Sequence, residues 1–101
     1  NPHSAILIQG KLSESIFHKT SIVFHFSKDS PGNLATVFQI FAKNGINLTK
    51  IESRPTGKKF GDYLFFLDFD GSESSAKVKN ALKAVKKEVK ALKILGSYPC
   101  Y

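Results

Sequence analysis

The strongest constraint on the fold of this chain is the order in which two hydrophobic periods follow one another. Two segments place apolar residues on one helical face: Leu34, Val37, Phe38 and Phe41, and then Val78, Ala81, Leu82, Val85 and Val89. Four other segments have the apolar content of strands, namely 21–27, 46–55, 63–69 and 92–95. The order is therefore β-α-β-β-α-β.

Turn-forming residues separate these segments. Ser30 is suited to cap the first helix, with Pro31 at its first position, and Asn44-Gly45 is suited to end that helix. Asp70-Gly71-Ser72 is a turn, and the segment 96–99 is expected to close a short last strand. The order predicts an α+β, ferredoxin-like βαββαβ sandwich, with one antiparallel sheet and two helices on one face.

The run from Ile46 to Pro55 departs from a regular strand pattern. Its apolar residues do not keep a regular two-residue alternation, because Ile46 and Leu48 are two positions apart but Leu48 and Ile51 are three apart. This change of phase predicts a bulge or a strand with two roles. The run also holds polar residues and Arg54, the only arginine of the chain. In a strand with a purely structural role, polar and apolar residues alternate more regularly. We therefore expect this strand to take part in molecular recognition.

The sheet is predicted to be apolar on both faces. Phe24 and Phe65 lie on one face, whereas Val23, Leu64 and Phe66 lie on the other. Two helices cover only one face, and a large exposed apolar patch usually marks an interface. We therefore expect the second face to pack against a partner, and a homodimer through the sheet is the favoured arrangement.

Length and charge limit the number of domains and the remaining classes of function. A chain of 101 residues has room for one domain with one core. The formal net charge of +7 is compatible with nucleic-acid binding, but there is only one arginine. Seven lysines lie in or near the second predicted helix, where a solvated face is the simplest explanation: Lys77, Lys79, Lys83, Lys86, Lys87, Lys90 and Lys93.

No catalytic, metal or cofactor site is predicted. His3, His18 and His25 lack metal-ligand spacing with Cys100 or with acids, and no phosphate-binding glycine motif occurs. No apolar run approaches the roughly 20 residues of a membrane helix. The single cysteine and the lack of a visible signal peptide favour a cytoplasmic location, and the first residue, Asn1, suggests a fragment of a longer protein.

Several motifs, taken in order, resemble the ACT regulatory domains of prephenate dehydratases. Residues 29–34 stand where that family has a Ser-Pro-Gly-Ala-Leu turn, residues 41–55 follow its pattern throughout, and residues 95–99 match its ending. The regulatory domains of aromatic amino acid hydroxylases share Glu-Ser-Arg-Pro but not that ending. The resemblance covers nearly all of residues 19–99. It implies a linker or remnant of a catalytic domain at 1–18 and an ACT domain at 19–101.

The resemblance implies allosteric binding of L-phenylalanine between two ACT domains, as feedback on the conversion of prephenate to phenylpyruvate. The implied ligand-binding positions are Gly32, Asn33, Leu34, Asn47 and Leu48. A regulatory motif is implied at Glu52, Ser53, Arg54 and Pro55.

Elementary chemistry is compatible with these roles. A helix that starts near Gly32 offers free N–H groups to a carboxylate, and Asn47 with strand carbonyls near Leu48 offers acceptors to an ammonium group. A simpler alternative for the regulatory motif is a salt bridge between Glu52 and Arg54, with Pro55 only ending the strand.

Two departures from the family pattern leave alternatives open. Asn33 replaces the usual alanine, and Ser4-Ala5-Ile6 stands where the catalytic domains of the family end in Thr-Arg-Phe. The second departure is explained equally well if residues 4–6 belong to a strand that does not correspond to the end of the catalytic domain. The alternatives to an effector domain of a dehydratase are a hydroxylase regulatory domain, a ligand-free dimerisation module, or an RNA binder that uses Tyr63, Phe65 and lysines on an open sheet face.

Overall fold

The fold was analysed in a computed structural model that describes residues 17–26, 33–58 and 62–100. Within these ranges the elements follow in the order β1 (Phe17–His25), α1 (Asn33–Lys43), β2 (Leu48–Pro55), β3 (Tyr63–Asp70), α2 (Ala76–Glu88) and β4 (Ala91–Cys100). The strands form one antiparallel sheet in the order β2-β3-β1-β4. The predicted βαββαβ architecture is confirmed, and β2 and β4 are its edge strands.

The core lies between the two helices and one face of the sheet, which we call the helix face. Its fully buried side chains come from both predicted helical stripes and from the two central strands: Ile22, Phe24, Val37, Phe41, Leu67, Phe69, Val78, Ala81 and Val85. The rings of Phe41 and Phe69 join α1 to β3, with centroids 4.9 Å apart. The opposite, open face carries Val23, Leu64 and Phe66, as predicted from strand alternation.

The end of α1 confirms the turn predicted at Asn44-Gly45. Gly45 has a φ of 69°, a left-handed conformation that glycine adopts without steric cost. The N–H of Ile46 donates to the carbonyl of Phe41 at 2.9 Å, and the N–H of Gly45 donates to that of Ala42 at 3.0 Å. This pair of bonds is a Schellman motif, and it turns the chain directly into β2. The predicted cap at Ser30 and Pro31 lies outside the described residues.

Two strands extend several residues beyond the sequence prediction. The predicted end of β4 at 96–99 is wrong, because β4 continues to Cys100, and β1 begins already at Phe17. Each extension supplies the other with hydrogen-bonding partners: Phe17 pairs with Cys100 and Lys19 with Tyr98. A register shift between Ser21 and Ile22 absorbs an extra residue of β4 and so lets the pairing continue.

Candidate functional site

An apolar groove lies between α1 and the edge strand β2, and we call it the α1–β2 groove. It has a cavity volume of about 290 Å³ and is lined by Phe38, Leu48, Thr49, Lys50, Ile51 and Leu67. It exists because no residue of β2 is buried, whereas β1 and β3 supply the buried strand residues. Ile51 pairs with Leu67 on the helix face but is still 44% exposed. The groove therefore leaves apolar surface uncovered.

A bulge shapes the β2 side of this groove. Leu48 pairs with Phe69 and Lys50 with Asp68, so that Thr49 is an extra residue between two successive pairs. The bulge is one of the two alternatives that the change of hydrophobic phase left open. Bulges redirect side chains and are common next to binding sites, so the groove lies where the strand is least regular.

Asn47 lies at the entrance to β2 and is tied to the end of β3. Its Nδ2 donates to Oδ2 of Asp70 at 3.1 Å, and its backbone carbonyl accepts the N–H of Asp70 at 2.9 Å. The side-chain bond uses the donor nitrogen of the amide, whereas the predicted contact with an ammonium group requires the acceptor oxygen. Asn47 is exposed, and Leu48 beside it lines the groove.

The other predicted ligand-binding positions lie at the opposite end of α1. Asn33 is the first residue of the helix, and Leu34 packs against the core. Gly32 lies outside the described residues. A helix of 11 residues spans about 15 Å between its ends, since each residue adds about 1.5 Å. One chain therefore does not bring Asn33 and Leu34 together with Asn47 and Leu48.

The Glu-Ser-Arg-Pro segment is divided between the two faces of the sheet. Glu52 and Arg54 are opposite Phe66 and Leu64 on the open face, and Ser53 lies between them on the helix face. Neither Ser53 nor Pro55 lines the α1–β2 groove. Strand alternation alone imposes this division.

Glu52 and Arg54 form the salt bridge that the simpler sequence interpretation predicted. Nε of Arg54 donates to Oε2 of Glu52 at 2.6 Å. The hydrogen bond from Arg54, and then its positive charge, lower the pKa of Glu52. The guanidinium carbon lies 4.8 Å from the centroid of the Phe66 ring, so that one cation is held by a carboxylate and by an aromatic face.

Sequence reasoning identified part of the groove: Leu48 to Ile51 belong to the run that was expected to take part in recognition, whereas Phe38 and Leu67 were not singled out. Phe38 had the spacing of a core residue, and Leu67 had the spacing of an ordinary strand residue. The position of β2 at the sheet edge opens the groove and exposes Ile51, whereas Leu67 stays buried at its base. The one signal available in the sequence was the change of phase between Leu48 and Ile51.

The structure contradicts the proposed aromatic platform for RNA. Such a platform needs rings on the open face of the sheet. Phe65 instead pairs with Phe24 on the helix face and packs against the core, and Tyr63 lies on the same side by alternation. The five lysines of α2 are exposed, in agreement with a solvated helix face.

In the described part of the chain, no three His, Cys, Asp or Glu side chains are placed to hold a metal ion. Neither described helix has the length and hydropathy of a membrane span.

Comparison with known proteins assigns the family. Residues 20–87 match the ACT domain family. The chain is 53% identical over 81 residues to a bifunctional chorismate mutase/prephenate dehydratase of Aquifex aeolicus, covering 80% of this chain and 22% of that protein. It is 35% identical over 105 residues to the prephenate dehydratase of Methanocaldococcus jannaschii, covering 100% of this chain and 38% of that protein.

A solved structure extends the similarity to three dimensions. A prephenate dehydratase from Arthrobacter aurescens, crystallised in complex with L-Phe, superposes with a TM-score of 0.72 at 37% identity over 83% of this chain and 29% of that one. The chain thus spans much less than half of each of these three relatives. Because the ACT match covers most of its length, this chain belongs to the ACT domain family.

Proposed function

We propose that this chain is the regulatory domain of a prephenate dehydratase and that it binds L-phenylalanine as a feedback effector. The observation that carries the proposal is the apolar α1–β2 groove on the strand that holds the family motifs. In the whole protein the domain follows a catalytic domain, with residues 1–18 as the linker or remnant and 19–101 as the ACT domain. The whole protein converts prephenate to phenylpyruvate in the cytoplasm.

The groove suits the side chain of the effector. Its volume of about 290 Å³ is close to the lower limit of about 300 Å³ for small-molecule pockets, as expected for a single amino acid. Phe38, Ile51 and Leu67 offer an apolar slot to an aromatic ring. Burial of one such ring contributes about 1.5–3 kcal/mol, and charge-assisted hydrogen bonds from the amino and carboxylate groups add to it. A micromolar site requires about 8 kcal/mol in total.

The separation of the implied ligand positions supports a site shared between two chains. Asn47 and Leu48 lie beside the groove, whereas Asn33 and Leu34 lie at the far end of α1. We propose that the helix start of one protomer, including Gly32, meets the groove of its partner and donates N–H groups to the carboxylate. A two-fold arrangement then repeats the contact and produces two equal sites in a homodimer. This dimer is joined at the sheet edge and not through the open face that was expected from the sequence.

The open acceptor of Asn47 and the strand carbonyls near Leu48 would bind the ammonium group. Glu52, Ser53, Arg54 and Pro55 extend from the groove to the far end of β2, so they are proposed to transmit binding rather than to contact the ligand. The ion pair of Glu52 and Arg54 supports this role, because it holds the guanidinium group over the ring of Phe66 and so links β2 to β3.

Calorimetric titration of the chain with L-phenylalanine, combined with sedimentation at each ligand concentration, tests the proposal. We expect one ligand per protomer and a shift toward the dimer as ligand is added. L-tyrosine and L-tryptophan test selectivity, and 2-phenylethylamine tests the need for the carboxylate group. If none of the three amino acids gives heat or raises the melting temperature, the chain is a ligand-free dimerisation module instead.

A further inference from the structure

A second pocket lies on the open face of the sheet, away from the α1–β2 groove, and we call it the open-face pocket. It has a cavity volume of about 610 Å³ and lies between the ends of β1 and β2 and the start of β4. We propose that it binds a small organic anion with an apolar body, of the class of aromatic carboxylates without an amino group. The inference does not rest on phenylalanine binding, because the two sites lie on opposite faces of the sheet.

The floor of the pocket is apolar. Leu64 and Phe66 lie on it, and both are only half-buried. Both side chains belong to a central strand, which packs on the helices with its other face. An apolar ligand body would cover this surface and gain the free energy of removing it from water.

The walls of the pocket are predominantly cationic. Arg54, Lys58 and Lys90 carry three positive charges, whereas Asp62 and the partner of Arg54, Glu52, carry two negative charges, so their formal sum is +3 − 2 = +1. Asp62 is already engaged: its Oδ1 lies 2.6 Å from Nε2 of His25, and its Oδ2 accepts a hydrogen bond from Thr56 at 3.1 Å. The remaining charge therefore favours an anionic ligand.

Arg54 is held in place for such a ligand. It is fixed over the ring of Phe66 at 4.8 Å and donates its Nε–H to Glu52 at 2.6 Å. That bond uses one of the five N–H donors of a guanidinium group. Because the side chain is already ordered, a carboxylate that binds to it costs less conformational entropy than one that binds to a free arginine.

The same charges exclude the zwitterionic amino acids proposed for the groove. An ammonium group in the open-face pocket would meet the cations Lys58 and Lys90, and both nearby carboxylates, Asp62 and Glu52, are already bonded. The volume of about 610 Å³ lies within the range of about 300–1,000 Å³ for small-molecule sites. The pocket thus fits an anion with a ring and lacks a place for a positive group.

The test is an NMR titration of the isotope-labelled chain with 3-phenylpropanoate and, separately, with the uncharged 3-phenylpropanamide. We expect the carboxylate to shift the backbone amide signals of Leu64, Phe66 and Ala91, and the amide compound to leave them unchanged. The double variant Lys58→Gln/Lys90→Gln should bind the carboxylate about fivefold more weakly. The matched control, Lys79→Gln/Lys83→Gln, loses the same charge from the exposed face of α2 and should bind within about twofold of the original chain.

Several outcomes would overturn the inference. Equal weakening in both double variants would mean that the anion follows net charge and not the pocket. Equal binding of the carboxylate and the amide compound would mean that only apolar surface is used. Shifts confined to Phe38 and Ile51 would place the probe in the α1–β2 groove. Absence of shifts with the carboxylate, including a case in which an RNA oligonucleotide or an acidic peptide binds instead, would also refute it.

Discussion

Replacement of Ile51 by alanine separates the contribution of the α1–β2 groove to binding from its contribution to folding. The change removes three carbon atoms, worth about 0.8 kcal/mol each when fully buried, or about 2.4 kcal/mol in all. Ile51 is 44% exposed in the free chain, so a ligand and partner can cover at most that part. The affinity for L-phenylalanine should therefore fall by about 1.1 kcal/mol, or about sixfold.

The covered part of Ile51 sets the expected loss of stability. It amounts to slightly more than half of the residue, so the free energy of unfolding should fall by about 1.3 kcal/mol. Leu95 is a matched control, because Leu95→Ala also removes three carbons and Leu95 is 51% exposed on the opposite edge strand. That variant should lose about 1.2 kcal/mol of stability and should keep its affinity.

Urea denaturation measures the stabilities, and calorimetric titration with L-phenylalanine measures the affinities. Both variants should lose similar stability, whereas only Ile51→Ala should bind more weakly. If both variants lose affinity equally, the loss reflects destabilisation and not the groove. If Ile51→Ala binds as tightly as the original chain, the groove is not the ligand site.

Two further predictions concern the turn after β3 and the ion pair on β2. Gly71 has a φ of 123°, and a Cβ there would lie 2.8 Å from Cγ2 of Val78, so Gly71→Ala should cost about 2 kcal/mol or more by thermal unfolding. Gly96→Ala meets nothing within 4 Å and should change stability by less than about 0.5 kcal/mol; similar losses in both would contradict the steric argument. Because Arg54 lowers the pKa of Glu52 below its ordinary 4.5, their ion pair stabilises the fold above that pH, and the effect is lost as the pH falls through the lower, folded-state pKa. A carboxyl NMR titration should show that Arg54→Gln raises the pKa of Glu52, and an unchanged pKa would refute the assignment.

Local patterns in the sequence were sufficient to predict the element order and the core. The stripes that include Phe41 and Val78 predicted which helix faces are buried, because helical spacing alone decides which residues share a face. The left-handed turn at Gly45 and the bulge near Thr49 were also predicted, since each leaves a mark within a few residues. The salt bridge between Glu52 and Arg54 was the simpler of the two interpretations that the sequence left open for this motif.

The features that depend on strand position needed the tertiary structure. The extension of β4 to Cys100 depends on partners in β1 almost a whole chain length away, and no local pattern encodes that pairing. The exposure of Ile51 depends on the placement of β2 at the sheet edge. The separation of Asn33 from Asn47 depends on the length and direction of α1.

The sequence by itself thus determined the kinds of elements, their order and the faces they bury, because short-range spacing and turn chemistry specify these. Only the tertiary structure decided which strand is left at the edge, and with it the two concave surfaces on opposite sides of β2. The physical reason is that the cover over any residue comes from segments distant in the chain, whose arrangement is set by packing of the whole domain.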